Sequence, residues 1–357
     1  LNKHSKIRFL YMSVMAAAAI LSVYLIWYFY FYHGDPVVNQ DKAKEKTADL
    51  MVLGSYHEDM IKLLTELFAR QSKIKIDYVR MSTQDAEAKL IAEKGNTGFD
   101  VWIGGTVDAH EILKKKQILC KCEAAAEKNI ANRFRDKDEV WKAQYIEVLS
   151  IGINNSRWEK EFAVKGIKKP TGLEDLLHPA FKGEVILPSP ETSGTGYTFL
   201  ASVLAEMGEE KGWKYLEQLN KQIGQYTYSG YTPAEKVGLG EYLICINFFS
   251  DQQIVSSNGY DMESRIYQNA GWTIVPVSLI AKKEIKEEAK QFIDFCLSQE
   301  ASDLLRGLGN VLTVRENGDQ IDAGLRLSDL QLNNQFEPTA MIDKKEENIR
   351  RFLQLVQ

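Results

Sequence analysis

Small and hydroxyl-bearing residues recur in this chain at one kind of place, where an apolar run ends and a helical pattern begins. Ser55 follows the run Leu50 to Leu53, Ser82 and Thr83 follow Ile74 to Val79, and Gly104, Gly105 and Thr106 follow Phe99 to Ile103. Further on, Ser193, Gly194 and Thr195 come after Glu184 to Leu187, and Ser229 and Gly230 after Gly224 to Tyr228. The first backbone N–H groups of a helix have no partner within it, and the helix dipole makes that end positive. With hydroxyls added, such an end binds an anion without needing a lysine. Taken singly, each cluster has a plainer reading, since Ser, Thr and Gly are ordinary capping residues. Five of them on the same edges of an α/β sheet, where ligands of open sheets gather, point to a cleft that grips something anionic.

Catalytic patterns are missing. The chain has no Gly-x-Ser-x-Gly elbow, His-Glu-x-x-His helix, phosphate-binding Walker loop or dinucleotide fingerprint. Its five histidines (His4, His33, His57, His110, His178) are dispersed, and no carboxylate pair stands out as an acid/base couple. The expectation is a binding protein rather than an enzyme, with no catalytic residues, no metal and no cofactor. A formal charge of −5 without basic blocks excludes nucleic acid as a partner. Four cysteines do not make a disulfide framework: Cys120 and Cys122 are too close to bridge easily, and Cys245 and Cys296 sit in apolar runs.

The elements that must position the clusters alternate. After the strand at Leu50–Leu53, Met60, Leu63, Leu64, Leu67 and Phe68 repeat with helical spacing over about 57–70, and Ser55 with Glu58 has capping-box spacing. Strand, turn and helix repeat once more to about 93, and a third strand follows over 99–103, the signature of a parallel sheet covered by helices. A long strand over Tyr145–Ile153 carries the chain into a second set of elements. There an amphipathic helix over about 197–207, a helix capped at Thr232, and a strand over 242–249 are expected. Thr273–Ile280 returns to the first set, followed by a helix over about 286–297 and terminal helices.

Ahead of all this, residues 9–32 carry no charge and are long enough to cross about 30 Å of hydrocarbon. Lys3, Lys6 and Arg8 precede the run, placing the N-terminus in the cytoplasm, and Trp27, Tyr28, Tyr30 and Tyr32 crowd its far end. The expectation is one uncleaved transmembrane anchor with the soluble part outside the cell membrane, extracellular or periplasmic. A cleaved leader is the alternative, but the run is longer than an ordinary leader core and ends on bulky aromatics.

Several stretches together bear a resemblance. They are Asp100 to Gly105, Leu173 to Gly183, Pro190 to Thr195 with Tyr197 to Phe199, Gln225 to Gly230 with Pro233 and Ala234, and Ala289 to Asp294. In this order, from about 50 to 305, the chain resembles type 2 extracytoplasmic solute-binding proteins of the ferric-iron and sugar-phosphate branch. The resemblance implies an α/β fold of two lobes with a ligand cleft between them. Residues 1–33 would be the anchor, 34–47 a linker, 48–148 lobe 1 (completed by about 277–325) and 149–276 lobe 2, with helices of 326–357 packed on the lobes. It adds Tyr228, Ser250, Asp251 and Thr273 to the expected ligand-binding residues. Phe248 and Phe249 stand where iron-binding members offer a tyrosine pair, so ferric ion is not the expected ligand. Hexose-phosphate receptors carry a His-Asp pair and a later Glu, where Ser250, Asp251 and Thr273 stand here. Asp251 is kept to accept bonds from hydroxyls. A small anionic phosphorylated ligand follows, hexose phosphate or phosphoglycerate. A fixed anchor suits a receptor reporting to a membrane histidine kinase better than one shuttling to an ABC permease, which is the alternative.

Overall fold

Strand β1 (Leu50–Ser55) forms where Leu50, Val52 and Leu53 are wholly buried. Helix α1 (Glu58–Ser72) adds Met60, Ile61, Leu64 and Phe68 from one face to the core. Each such side chain contributes about 1.5–3 kcal/mol by leaving water. Next come β2 (Ile76–Arg80), α2 (Thr83–Glu93), β3 (Val101–Gly104) and α3 (Val107–Lys115). β1 pairs in parallel with both β2 and β3, the arrangement the sequence repeat predicts. The computed structural model describes residues 48–357 apart from 310, 316–329, 331, 334 and 335. The expected anchor over 9–32 and the linker lie outside the described residues, among which no helix is long and apolar enough to cross a membrane.

After the short β4 (Leu119–Cys120) comes β5 (Trp141–Asn154), longer at both ends than its apolar pattern suggested and buried along its whole length. Beyond it lie β6 (Val185–Pro188), α4 (Gly194–Met207), α5 (Glu209–Asn220), β7 (Ile223–Thr227) and α6 (Thr232–Gly238). Then follow β8 (Ile244–Phe248), α7 (Phe249–Ser257), β9 (Met262–Arg265) and β10 (Trp272–Ile280). The strand order is β2-β1-β3-β10-β5-β8-β6-β7. Its two ends are parallel, and the middle is antiparallel. Residues 141–148 of β5 pair with β10, and 149–153 pair with β8, so one strand serves both groups. β10 carries a bulge between Val275 and Pro276, where proline has no N–H for the ladder.

Helices α8 (Glu287–Cys296) and α9 (Gln299–Gly309), strand β11 (Leu312–Thr313) and helix α10 (Lys345–Val356) complete the chain. α10 touches both groups of elements. Lys345, 3% exposed, pairs with Glu87 of α2 and Asp108 of α3, both at 2.7 Å. Phe352 meets Tyr226 of β7 edge-on at 5.1 Å, and Arg351 lies 4.4 Å over Trp213 of α5.

Two expected caps are placed differently. His57, not Ser55, caps α1, because Ser55 Oγ is taken by the Trp102 indole N–H at 3.0 Å. Thr232 lies inside α6, whose cap position is Tyr231, so no capping box forms there. All four cysteines are free, with Cys122, Cys245 and Cys296 buried.

Candidate functional site

Five helices of nine residues or more start at one cavity. They are α1 behind His57, α2 behind Ser82, α3 behind Thr106, α4 behind Ser193 and α7 behind Phe248, and all five cap residues line it. The space is about 70 Å³. Since one water needs about 10–15 Å³ on this scale, it holds a handful of water-sized groups. The first N–H groups of each helix lack helical partners and carry partial positive charge, so five such ends make a strongly anion-seeking enclosure.

Two of the caps do not serve their own helices. Neither Thr106 nor Ser193 makes a side-chain capping bond. Thr106 is 2% exposed, yet its Oγ1 finds no hydrogen-bond partner in the protein. The Tyr56 hydroxyl, on a residue 4% exposed, is in the same position. A buried hydroxyl without a partner costs about 1–3 kcal/mol, so both atoms favour a group that would enter the cavity.

Glycines set the closeness of the walls. A Cβ on Gly194 would come within 2.5 Å of Thr106 Oγ1 and 2.8 Å of Thr83 Oγ1. One on Gly230 would lie 2.4 Å from Thr195 Oγ1. Thr83, Thr106, Thr195 and Ser193 thus form one cradle with bare backbone between them. The 229–231 turn is held by Thr227 Oγ1 donating to the Ser229 carbonyl (2.8 Å) and by Asn247 Nδ2 donating to that of Gly230 (3.1 Å). Behind the other wall, His110 stacks on Trp102 at 3.9 Å and bonds the Gly104 carbonyl through Nε2 at 2.8 Å. Burial lowers its pKa to about 3, so the ring is neutral and Nε2 is the donor.

Of the residues expected to bind ligand, Ser55, Ser82, Thr83, Gly105, Thr106, Ser193, Thr195, Ser229, Gly230, Ser250 and Asp251 line this cavity. Three do not. Gly194 lies behind the lining against Thr83 and Thr106. Tyr228 is 60% exposed and donates its hydroxyl to Asp85 Oδ2 at 2.5 Å. Thr273 is buried and accepts the first N–H of α3, from Val107, at 3.4 Å.

Sequence reasoning missed Arg80, Glu147, His57 and the phenols of Tyr56, Tyr145 and Tyr231, all of which line the cavity. Arg80 ends β2 and reaches Ser229 Oγ at 3.4 Å from the opposite group of strands. Glu147 is 6% exposed and accepts from Ser250 Oγ at 2.5 Å. It stands in register with Thr273, directly across from β10, so a carboxylate is present one strand away from where the sequence lacked one. Its signal was a single acid inside an apolar strand, where charge is rarely buried without purpose. Burial pushes Asp251 up to about 7, against the nearby Arg80 and a bond from Asn247. Burial and Asp251 push Glu147 well above the carboxylate range. Burial also raises the phenols, Tyr231 to about 12 and Tyr56 and Tyr145 further, and lowers His57. Among the described residues, no three His, Cys, Asp or Glu side chains are placed to hold a metal ion.

A mixed sheet whose helix N-termini enclose an anion-seeking space defines a ligand receptor of the periplasmic-binding-protein kind. The chain belongs to the bacterial extracellular solute-binding proteins, whose family model matches residues 97–325. Within them it is a type 2 member of the ferric-iron and sugar-phosphate branch. It is 29% identical over 316 residues to an uncharacterized protein of Haemophilus influenzae, covering 86% of this chain and 90% of that one. Among solved structures it is similar to the periplasmic binding protein AfuA of Actinobacillus pleuropneumoniae with fructose 6-phosphate bound. The TM-score is 0.80 and the identity 27%, over 86% of this chain and 98% of that one. The periplasmic binding protein P5PA matches with a TM-score of 0.79 and 27% identity, over 86% and 99%.

Proposed function

We propose that this protein is a membrane-anchored receptor, not an enzyme, for a small phosphorylated metabolite of the hexose phosphate or phosphoglycerate class. The observation that carries the reading is the meeting of five helix N-termini at one cavity with Thr106 Oγ1 and Tyr56 Oη unpartnered. Charge-assisted bonds from N–H groups to a phosphate are about twice as strong as neutral ones, so the cradle dominates affinity. The likeness to a receptor holding fructose 6-phosphate supports the ligand class. Asp251 reads a hydroxyl. Residues 48–148 and 149–276 act as two lobes, and residues 9–32 fix them to the outer face of the membrane. A fixed receptor reports to a histidine kinase rather than shuttling to a permease. Ferric ion is disfavoured, because Phe248 and Phe249, which have no oxygen to give, stand where a phenolate pair would be needed.

Calorimetry of residues 48–357 against hexose phosphates, phosphoglycerates and their unphosphorylated parents tests the ligand class. Binding should require the phosphate, and Ser193→Val should abolish it by filling the cradle. Parent compounds binding as tightly as their phosphates would overturn the reading. Added ferric ion should give no visible tyrosinate band.

A further inference from the structure

The cavity has a second chemical character that phosphate binding leaves unused. Glu147 and Asp251 both line it, on β5 and at the start of α7. Ser250 Oγ serves one oxygen of Glu147, and Asn247 Nδ2 reaches one of Asp251 at 3.4 Å. Neither carboxylate has an ion-pair partner within 4.0 Å among the described residues. The other buried acids differ: Asp100 pairs with Lys282 and Lys286, Asp108 with Lys345, and Asp136 with Lys114. Arg80 is the cation lining the cavity, and its guanidinium is engaged with the Tyr56 carbonyl and Ser229. A buried carboxylate at Glu147 beside a part-buried one at Asp251, with the guanidinium of Arg80 engaged elsewhere, is costly, and a charge brought in by a ligand removes much of that cost.

A second observation points to a ligand at this end. The unpartnered Tyr56 hydroxyl belongs to a residue whose ring lies 5.8 Å from that of Tyr145, two residues from Glu147 on β5. The hydroxyl cradle of Thr83, Thr106 and Thr195 belongs to other elements, at the starts of α2, α3 and α4. The enclosure therefore offers anion-seeking walls and acidic walls to one occupant.

We propose that the ligand is zwitterionic, a phosphorylated amine whose ammonium is received between Glu147 and Asp251 while its phosphate lies on the helix N-termini. The proposal rests on the anion reading above, narrows it, and puts an ammonium in place of the hydroxyl at Asp251. A hydroxyl in place of the ammonium satisfies acceptor atoms but leaves the charge of the acids uncompensated. The raised pKa values of both acids agree: burial leads at each, and the nearby Arg80 does not bring Asp251 back to the ordinary carboxylate range.

The test is calorimetry with two matched pairs at pH 7.5, glucosamine 6-phosphate against glucose 6-phosphate and 2-aminoethyl phosphate against 2-hydroxyethyl phosphate. Within a pair only the ammonium and hydroxyl differ. In at least one pair the amine should bind tenfold tighter or more, and Glu147→Gln and Asp251→Asn should each collapse that difference. Circular dichroism checks that both variants fold, and the wild-type comparison decides even where one does not. Equal affinity within both pairs would overturn the zwitterion while leaving the phosphate site intact. An advantage that survives both substitutions would place the ammonium elsewhere and overturn it too. If none of the four phosphates bound, the anion reading itself would fall.

Discussion

A missing methyl group sets how closely the cavity walls meet. Gly194 faces Thr83 and Thr106, which belong to the opposite group of strands. Gly194→Ala should therefore weaken phosphate-ligand binding at least tenfold by calorimetry, with little change in the unfolding midpoint of the free protein. Unchanged affinity would show that these walls do not meet around ligand. Titration gives a second residue-level outcome. Asp251 is pushed up to about 7, so the folded chain holds a proton that the unfolded chain releases nearer 3.8. Its contribution to stability is present at low pH and lost as pH rises through about 7, and Glu147 acts in the same direction. His110, lowered to about 3, does the reverse: stability is lost as pH falls below the ordinary 6.5. Between about pH 4 and 7 Asp251 therefore lowers the thermal midpoint of the free protein as pH rises, while His110 raises it up to about pH 6.5. Asp251→Asn should make the midpoint rise more, or fall less, from pH 4 to 7 than in the wild type, and an unchanged pH profile would remove Asp251 as a source. The hydroxyl residues were legible because capping chemistry is local. Arg80 and Glu147 were not, because only the stacking of β5 beside β10 and the facing of β2 with the 229–231 turn bring them to the same space.

At the scale of elements, periodicity located strands and helices while side-chain competition moved their ends. Ser55 had the spacing of a cap, but the Trp102 indole N–H claimed its oxygen, and His57 took the role. Such a contact spans 47 positions and leaves no local trace in the sequence. Helix α10 is a similar case. Its apolar face at Ile349, Phe352, Leu353 and Val356 was readable, whereas the docking of Lys345 between Glu87 and Asp108 was not. Replacing Lys345 by Met keeps much of the stem's volume but leaves two buried acids facing each other. Removing one partner of a buried ion pair costs about 3–5 kcal/mol. Urea unfolding should show a loss of that order for Lys345→Met, partly restored by adding Asp108→Asn. A loss below about 1 kcal/mol would mean that the site is open to water.

Across the whole molecule, the parallel sheet ends were foreseeable from alternating elements, and the antiparallel middle gives the architecture its character. One strand, β5, pairs with β10 along its first half and β8 along its second. A bend within it would swing the two groups of helix N-termini apart, which is how two-lobed receptors close on ligand. The contacts that would part include the His57–Tyr231 ring contact at 4.3 Å and three side-chain hydrogen bonds. Tyr228 donates to Asp85, Arg80 to Ser229, and Gln84 Nε2 to the Pro190 carbonyl at 3.1 Å. Tyr228 is more than half exposed and exchanges its bond for water on opening, so the latch is weak. Tyr228→Phe should shift the free protein towards a more open form, read as a larger radius of gyration by small-angle X-ray scattering. Saturating phosphate ligand should return the variant to the wild-type bound value, because an anion in the proposed cradle would bridge N-termini of both groups. If the free wild type and the ligand-bound form scattered identically, and Tyr228→Phe changed neither, the halves would not move as lobes and the cavity would fill by local fluctuation.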